Sequence, residues 1–386
     1  MIYLDHNATS SLRPDAKAAM RAALEAGGNP SSVHGAGRKA RARVAAAREQ
    51  VAALAGVAPA EMVFTSGGTE AIWLALNGAA QGAREADARI TRLFVSAIEH
   101  DAVRANAVAL AERVAGLRVE TLPVTRQGIV DLDALKTSLR EGKGRALVAI
   151  MAANNETGVI QPVEAVSALA KEAGALLLVD AVQAAGKIDL HGIAAAADYM
   201  ALSAHKLGGP QGVGALVARG GAPFAAQILG GGQEKRRRAG TENVAGIAGF
   251  GAAAAAAANV GESGIRLSAL RDRFEHDLKC IVPDAVIFGA DAPRLANTSN
   301  FALPGLAAET AVMALDLEGV MVSSGAACAS GKVARSHVLA AMGVEDALAR
   351  SALRVSFGWT SRADDGAAAI AALTKLIARA RARAAA

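Results

Sequence analysis

Short apolar segments alternate with helical patterns between about residues 60 and 220, and this order constrains the fold of the chain more than any other feature. It predicts an α/β architecture, a mainly parallel sheet with helices packed on both faces. The candidate strands are residues 62–65, 93–98, 146–151, 176–180, 200–204 and 213–218. The last follows a short Gly-rich turn that cannot hold a crossover helix, so we expect it to run antiparallel.

The second half of the chain has a different order of predicted helices and strands. A long Ala-rich helical stretch is predicted over about 244–280, after the helices expected at 70–82, 101–115 and 162–173. Short strand-like segments then follow, interrupted by helices, at 281–288, 300–303 and 353–357. This pattern suggests a second, smaller α+β domain, and 386 residues are more than one domain usually holds.

Charge and cysteine content exclude several classes of protein. The 41 basic residues are nearly balanced by 36 acidic ones, so no nucleic-acid partner is expected. Two cysteines cannot form a disulfide framework, which indicates a reducing compartment. No signal peptide is recognised at the N-terminus, and Ala-rich stretches such as 251–258 are too short to span a bilayer. We therefore expect a soluble cytoplasmic protein without a membrane partner.

Two residues that follow predicted strands suggest a cofactor. Lys206 lies between an apolar strand and a Gly-Gly-Pro turn, where poor solvation would lower its amine pKa and suit it to a Schiff base. Asp180 ends an earlier apolar run, and a buried carboxylate needs a cation or several donors. A protonated pyridine nitrogen would serve, although a helix N-cap would explain Asp180 equally well. Lysine and aspartate in these positions are typical of pyridoxal phosphate sites.

Other polar residues also follow strands, where ligands of such sheets gather. Gly68 and Thr69 join a strand to a helix and could bind a phosphate, or could simply cap the helix. His100 could stack on a ring and move protons, although a lone histidine is more often structural. Gln183 could donate to a phenolic oxygen of the ring, and Asn155 lies in a turn whose asparagines turn chemistry alone could explain.

The last three candidates are an arginine and two cysteines. Arg354 lies within an apolar strand and needs a carboxylate, either a structural acid or the α-carboxylate of a substrate. Cys328 is surrounded by small residues, which predicts an exposed loop and a candidate nucleophile. Cys280 lies in an apolar setting and is predicted to be a core residue.

An ordered set of motifs then gives these residues a common interpretation. The chain resembles cysteine desulfurases of the NifS/IscS kind, in the class V branch of fold-type-I pyridoxal phosphate enzymes. The matching segments are residues 3–9, 28–34, 64–70, 99–100, 154–162, 179–187, 203–214, 238–246 and 336–339, together with Cys328. The resemblance implies a seven-stranded sheet in a large domain, residues 16–255. Residues 1–15 and 256–386 would form the small domain that carries the cysteine loop.

The resemblance also implies a role for each candidate residue. Lys206 would form the Schiff base, Asp180 would pair with the pyridine nitrogen, and Cys328 would become a persulfide. The cofactor would further contact Gly68, Thr69, His100, Asn155, Gln183, Ser203, His205 and, from the partner subunit of a homodimer, Thr241. The substrate L-cysteine would be held by Asn7, Asn155 and Arg354. His100 would move protons.

The implied reaction converts L-cysteine to L-alanine and passes sulfur to an acceptor, such as an iron–sulfur scaffold protein. It needs no catalytic metal, although Cys328 is a candidate transient ligand of an iron–sulfur cluster. Two alternatives stay open at this point. One is a class V aminotransferase or selenocysteine lyase that uses the same cofactor. The other is a non-catalytic sulfur-carrier or assembly subunit that retains the fold.

Overall fold

The computed structural model describes residues 1–83, 89–325 and 335–384. Its strands are short, and six of the thirteen in these ranges are buried along their whole length. They are β1 (Ile2–Tyr3), β2 (Met62–Thr65), β3 (Ile90–Ser96), β4 (Arg118–Leu122), β5 (Arg145–Met151), β6 (Leu176–Asp180), β7 (Tyr199–Ser203), β8 (Gly214–Ala218), β9 (Val286–Ile287), β10 (Thr298–Ala302), β11 (Val320–Met321), β12 (Ser323–Ser324) and β13 (Ala352–Ser356).

Within the described residues, seven strands form the main sheet in the order β2-β8-β7-β6-β5-β3-β4. All neighbours pair in parallel except β8, which runs antiparallel to both β7 and β2. The predicted mainly parallel sheet with an antiparallel sixth segment is thus confirmed. Sequence reasoning missed β4, because this edge strand is largely exposed and carries Arg118 and Glu120 instead of a continuous apolar run.

Helices pack on the sheet, and further helices alternate with short strands in the second half of the chain. They are α1 (Pro14–Ala26), α2 (Gly35–Ala55), α3 (Gly68–Gly82), α4 (Asp101–Arg113), α5 (Leu132–Glu141), α6 (Val163–Glu172), α7 (His191–Ala196), α8 (Val244–Ala256), α9 (Val260–Ile281), α10 (Ala308–Leu317), α11 (His337–Ala341), α12 (Asp346–Ala349) and α13 (Asp365–Ala384). The helices predicted at 70–82, 101–115 and 162–173 correspond to α3, α4 and α6.

The single helix predicted over 244–280 is wrong. The chain bends by 76° between α8 and α9, and Asn259 caps the new helix by accepting a hydrogen bond from the backbone N–H of Glu262. The surrounding alanines favour a helix on both sides and so hide this capping signal. No single helix in the described ranges is long and apolar enough to cross a membrane, and α8 and α9 meet that test only when joined across the bend.

Two apolar layers pack on opposite faces of the main sheet. Alternate side chains of the central strands enter each layer: Val148 and Val179 face one, whereas Leu147 and Leu178 face the other. Burial on both faces explains why these strands appear in the sequence as continuous apolar runs. Each such side chain contributes roughly 1.5–3 kcal/mol when it is fully buried.

A second, antiparallel sheet lies beyond α8, in the order β12-β13-β10-β9. Its core contains the rings of Phe274, Phe301 and Phe357. The N-terminal segment joins this region, because β1 pairs with β11 and Asp5 bridges to Ser356. The domain boundaries at 15/16 and 255/256 stay a prediction.

Cys280 is not a core residue, contrary to the prediction. It lies on α9 and is exposed to solvent. The apolar neighbours Ile281 and Val282 suggested burial, but a helix turns successive residues about 100° apart, so adjacent positions do not share a face.

Candidate active site

A cavity of about 280 Å³ lies at the carboxyl ends of the main-sheet strands. It is closed on the other side by the N-terminal segment and by Arg354 of β13. The predicted residues that line it are Asn7, Gly68, Thr69, His100, Asn155, Asp180, Gln183, Ser203, His205, Lys206 and Arg354. The sheet therefore brings together side chains that are up to 347 positions apart, counted from Asn7 to Arg354.

Among the described residues, one predicted site residue does not line this cavity. Thr241 is exposed, in the segment just before α8. Cys328 lies outside the described residues.

Lys206 ends a short 3₁₀ turn that directly follows β7. Its Nζ donates hydrogen bonds to the backbone carbonyls of Asn7 and Ala8, both at 2.8 Å. Ser203, the last residue of β7, is buried and lines the cavity. The strand and turn thus fix the base of the lysine, while the N-terminal segment holds its amine at the cavity.

Asp180 is the last residue of β6 and is buried. Burial raises the pKa of its carboxyl group. Opposing this shift, the backbone N–H of Val182 donates to Oδ1 at 3.0 Å, and the charges of His100 and Lys206 favour the ionised form. A carboxylate in this setting is a strong acceptor for a cationic donor that enters the cavity.

Glu99 is a second buried acid, for which sequence reasoning assigned no role. It is fully buried, and its Oε1 accepts a hydrogen bond from the backbone N–H of Met151 at 2.7 Å. Met151 is the register partner of Asp180 in the sheet. Burial, and then the negative charge of Asp180, raise the pKa of Glu99 well above its usual range. An acid directly after the predicted strand 93–98 was the signal available in the sequence.

His100 is the N-cap of α4. Its Nδ1 accepts a hydrogen bond from the backbone N–H of Ala102 at 3.0 Å. In the neutral imidazole the proton then lies on Nε2. The cap uses Nδ1 alone, and a role for the Nε2–H in moving protons stays a prediction.

The part of the cavity beside α3 is suited to an anion. The helix begins at Gly68, and the first backbone N–H groups of a helix, together with its dipole, attract a negative charge. A Cβ on Gly68 would lie 2.7 Å from Cγ2 of Val182, which explains why glycine is needed here. Thr69 and Ser203 add hydroxyl groups to the cavity wall. Burial and the neighbouring charge of Lys206 lower the pKa of His205, also in this wall, to about 4.

Arg354 has a carboxylate partner within the protein. Its Nη2 lies 2.7 Å from Oδ1 of Asp5, and its Nη1 donates to the backbone carbonyl of Asn155 at 2.9 Å. Only 1% of the arginine side chain is exposed, against 19% for Asp5. Of the two alternatives left open by the sequence, the structure shows the structural acid, and the guanidinium still borders the cavity.

Asn7 links the segments that follow the main-sheet strands to the second sheet. Its backbone carbonyl accepts hydrogen bonds from Lys206 and from Nε2 of Gln183. Its side-chain Oδ1 accepts from Lys187 at 2.8 Å and from Asn297 at 3.0 Å. Sequence reasoning missed Lys187 as an individual residue, and its place four positions after Gln183 was the available signal.

The described residues contain no group of three or more His, Cys, Asp or Glu side chains that could hold a metal ion. The site instead combines a lysine amine, a buried carboxylate, a histidine that can donate from Nε2, and an anion-binding helix end. This set can hold a ring that has a basic nitrogen and a phosphate, and can move protons beside it.

Comparison with known proteins identifies the family of this chain. The family described as Aminotransferase class-V matches residues 2–366. A cysteine desulfurase from Cereibacter sphaeroides is 45% identical over 366 residues, which cover 94% of this chain and 92% of that protein. An IscS-like cysteine desulfurase from Mycobacterium tuberculosis is 40% identical over 383 residues, covering 99% and 97%. The solved structure of a NifS-like protein from Rickettsia africae is 34% identical with a TM-score of 0.86, covering 98% and 99%.

Proposed function

We propose that this protein, which belongs to the class-V aminotransferase family, is a pyridoxal phosphate-dependent cysteine desulfurase. The net reaction is L-cysteine plus an enzyme thiol giving L-alanine plus an enzyme persulfide. The observation that supports it best is the single cavity in which Lys206, Asp180 and His100 meet the anion-binding start of α3. Relatives named cysteine desulfurase at 40–45% identity support the choice of reaction.

The residues present fit pyridoxal phosphate on three counts. The cradle formed by Gly68 has no room for a Cβ, and it begins a helix whose free N–H groups suit a phosphate. The buried carboxylate of Asp180 suits a protonated ring nitrogen. Lys206 would carry the cofactor covalently, and Gln183 would donate to an oxygen on the ring. When bound, pyridoxal phosphate supplies an electron sink that acidifies the Cα–H bond of an amino acid.

Residues that line the cavity would carry out the proton transfers. The amine of Lys206, once free of the cofactor, would take the proton from the substrate Cα. His100, whose Nδ1 accepts from the Ala102 N–H, would move a proton at Nε2 beside the substrate sulfur once this cap hydrogen bond opens and Nδ1 can also be protonated. Asn155 and Arg354 would bind the substrate carboxylate, with Arg354 already held in position by Asp5.

Sulfur transfer needs a nucleophile, and Cys328 is the proposed one. Its thiolate would attack the substrate sulfur, so that a new S–S bond forms while the bond from Cβ to sulfur breaks. The carbon fragment keeps the bonding electrons, gains a proton and leaves as L-alanine. Thiolate attack on sulfur is ordinary thiol chemistry, and it demands an accessible, ionisable cysteine.

The test incubates purified holoprotein with L-cysteine, measures alanine, and maps the persulfide by mass spectrometry. We expect alanine in the wild type, persulfide on Cys328, and loss of both in Cys328→Ala with the visible absorbance of bound cofactor retained. Cys280→Ser is the matched control, because it removes the other thiol of the chain. Unchanged alanine formation in Cys328→Ala would exclude a desulfurase and favour a reaction that needs no thiol, such as transamination.

A variant of the lysine separates an enzyme from a non-catalytic assembly subunit. Lys206→Ala should lower the rate of alanine formation by about 10³-fold or more, since the amine is both the covalent anchor and the base. Lys279→Ala, a lysine on α9 far along the chain from the site, is the control. A wild-type protein that neither becomes yellow with pyridoxal phosphate nor forms alanine would support the assembly-subunit alternative.

The proposed assembly is a homodimer in which Thr241 serves the partner's cavity. Thr241 is exposed and outside the cavity of its own subunit. Mixing Lys206→Ala with Thr241→Ala subunits tests this. If Thr241 acts in trans, one site of each mixed dimer is intact and activity reappears on mixing; if it acts in cis, both sites carry one defect and mixing restores nothing.

The final acceptor would be a thiol protein, such as an iron–sulfur scaffold, in the cytoplasm. A persulfide survives and transfers sulfur only where other thiols are reduced, and a chain with two cysteines and no disulfide framework suits that compartment. Persulfide-loaded protein should pass labelled sulfur to a cysteine-containing scaffold but not to its alkylated form. Equal labelling of both would contradict direct transfer.

A further inference from the structure

We propose that Lys187 is a positioning residue, which orients the amide of Gln183 and locks Asn7, and thereby sets the polarity of the cavity wall. The inference rests on the proposed function for the identity of the ligand. Lys187 is half-buried at the end of the segment that follows β6, and it is absent from the residues that line the cavity. It therefore acts through its neighbours.

The contacts of Lys187 explain the orientation. Its Nζ donates to Oε1 of Gln183 at 2.6 Å and to Oδ1 of Asn7 at 2.8 Å. An amine has at least two N–H groups whether it is charged or neutral, so both amides must turn their oxygens towards it. Gln183 lines the cavity; with Oε1 occupied by Lys187 and one Nε2 N–H bonded to the Asn7 carbonyl, its second N–H is the group left to meet a ligand oxygen. The ring oxygen of the cofactor is an acceptor, so this is the required polarity.

The same lysine reaches Lys206 through Asn7. With Oδ1 held by Lys187 and Asn297, Nδ2 of Asn7 donates to Oγ1 of Thr298 at 2.9 Å. The residue is locked from both ends of its side chain. Its backbone carbonyl can then accept from Lys206 and from Nε2 of Gln183, each at 2.8 Å. One amine thus supports two residues that line the cavity.

The position of Lys187 is energetically unfavourable for a charged amine, which argues against a purely structural role. Burial and the nearby charges of Lys206 and Arg354 lower the pKa of Lys187 well below its usual range. Taking a charged amine largely out of water costs free energy, and hydrogen bonds to neutral amides offset only part of it. A lysine near two other cations is better explained by the donors that it offers to the two amides.

The test compares Lys187→Met, which removes the donors, with Lys187→Gln, which keeps an N–H₂ group but no charge. We measure the Kd of pyridoxal phosphate for each apoprotein and the absorbance maximum of the bound form. Lys187→Met should raise Kd about tenfold, the effect of losing one good hydrogen bond to the ligand, and shift the absorbance. Lys187→Gln should recover part of the affinity. Lys375→Met, which removes a lysine paired with Glu318 at the surface, is the control and should change neither.

A double-mutant cycle separates orientation from general damage. In a Gln183→Ala background the Lys187→Met change should raise Kd by less than about twofold, since the amide on which it acts is gone. A full tenfold effect in that background, or a wild-type Kd and spectrum in Lys187→Met, would overturn the inference. If Lys187→Met fails to fold, shown by thermal unfolding, the same cycle is read from Lys187→Gln.

The outcome is distinguishable from failure of the proposed function. A wild-type protein that binds pyridoxal phosphate but forms no alanine would overturn the desulfurase proposal, while the Kd values and the cycle would still decide the role of Lys187. A wild-type protein that does not bind the cofactor would overturn both.

Discussion

The cavity has two walls that differ in how far apart in sequence their supporting contacts are. In the strand-end wall (His100, Asp180, Ser203 and Lys206) two acceptors are fixed locally: His100 accepts from Ala102 and Asp180 from Val182, each two residues on. The closing wall (Asn7 and Arg354) is held by residues that are distant in the chain. Its hydrogen bonds join Asn7 to Asn297 and Arg354 to Asp5, across 290 and 349 positions.

The strand-end wall carries the reactive groups, whereas the closing wall encloses the cavity. Strand ends of a parallel sheet arrive at one edge by topology, so a reactive group needs only the correct position after its strand. The closing wall exists only once the N-terminal segment has docked on the second sheet, where Asp5 bridges to Ser356. Changes in the strand-end wall should therefore lower activity, whereas changes in the closing wall should lower stability as well.

The largest effect on stability is expected for Arg354→Met. It leaves the carboxylate of Asp5 partly buried and without its cation, which should lower the free energy of unfolding by about 3–5 kcal/mol. Urea unfolding of the apoprotein measures this change. Arg21→Met, in an exposed pair with Glu25, is the control and should change stability by less than about 1 kcal/mol. Equal midpoints for Arg354→Met and wild type would remove the distinction between the walls.

His100 allows the two roles of a strand-end residue to be separated. His100→Ala and His100→Asn should both lower the rate of alanine formation by about 10²-fold or more, because neither has an ionisable ring. Only His100→Ala should also lower stability, by about 1 kcal/mol, since asparagine can still cap α4. Activity assays and urea unfolding of both variants give the comparison. Wild-type activity in His100→Asn would show that the residue is only a cap.

A smaller, pH-dependent effect is expected behind the strand-end wall. The folded-state pKa of Glu99 is raised, so its contribution to stability is fully present below the unfolded pKa and is lost as pH rises towards the folded pKa. Glu99→Gln imitates the neutral acid. It should be about 1 kcal/mol more stable than wild type at pH 8, and the difference should shrink towards pH 4.5. Unfolding midpoints across this range measure the trend, and a difference that grows at low pH would contradict it.

The smallest effect is expected outside both walls. Cys280→Ser changes an exposed position of α9 and should leave the free energy of unfolding within about 0.5 kcal/mol. Alanine formation should also be unchanged. A loss of activity would mean that Cys280 takes part in sulfur transfer, and the separation of the two walls from the rest of the molecule would need revision.

Much of the strand-end wall could be predicted from the sequence. Buried central strands give continuous apolar runs, and polar residues just after them are conspicuous, as for Asp180 after β6. Two features gave no such signal: β4 is largely exposed and mostly polar, and the bend between α8 and α9 is hidden among alanines. Cys280 was misplaced for a related reason, because a short apolar run does not say which face of a helix it occupies.

The sequence by itself determined the mainly parallel sheet except for its edge strand β4, the family, and the identity of the groups at the strand ends, since these depend on local apolar patterns and on ordered motifs. Only the tertiary structure decided which acid neutralises Arg354, that Glu99 lies buried beside Asp180, and that Lys187 joins Gln183 to Asn7. The physical reason is that a hydrogen bond or an ion pair depends on distances of about 3 Å between atoms, and packing alone sets such distances between residues that are far apart in the chain.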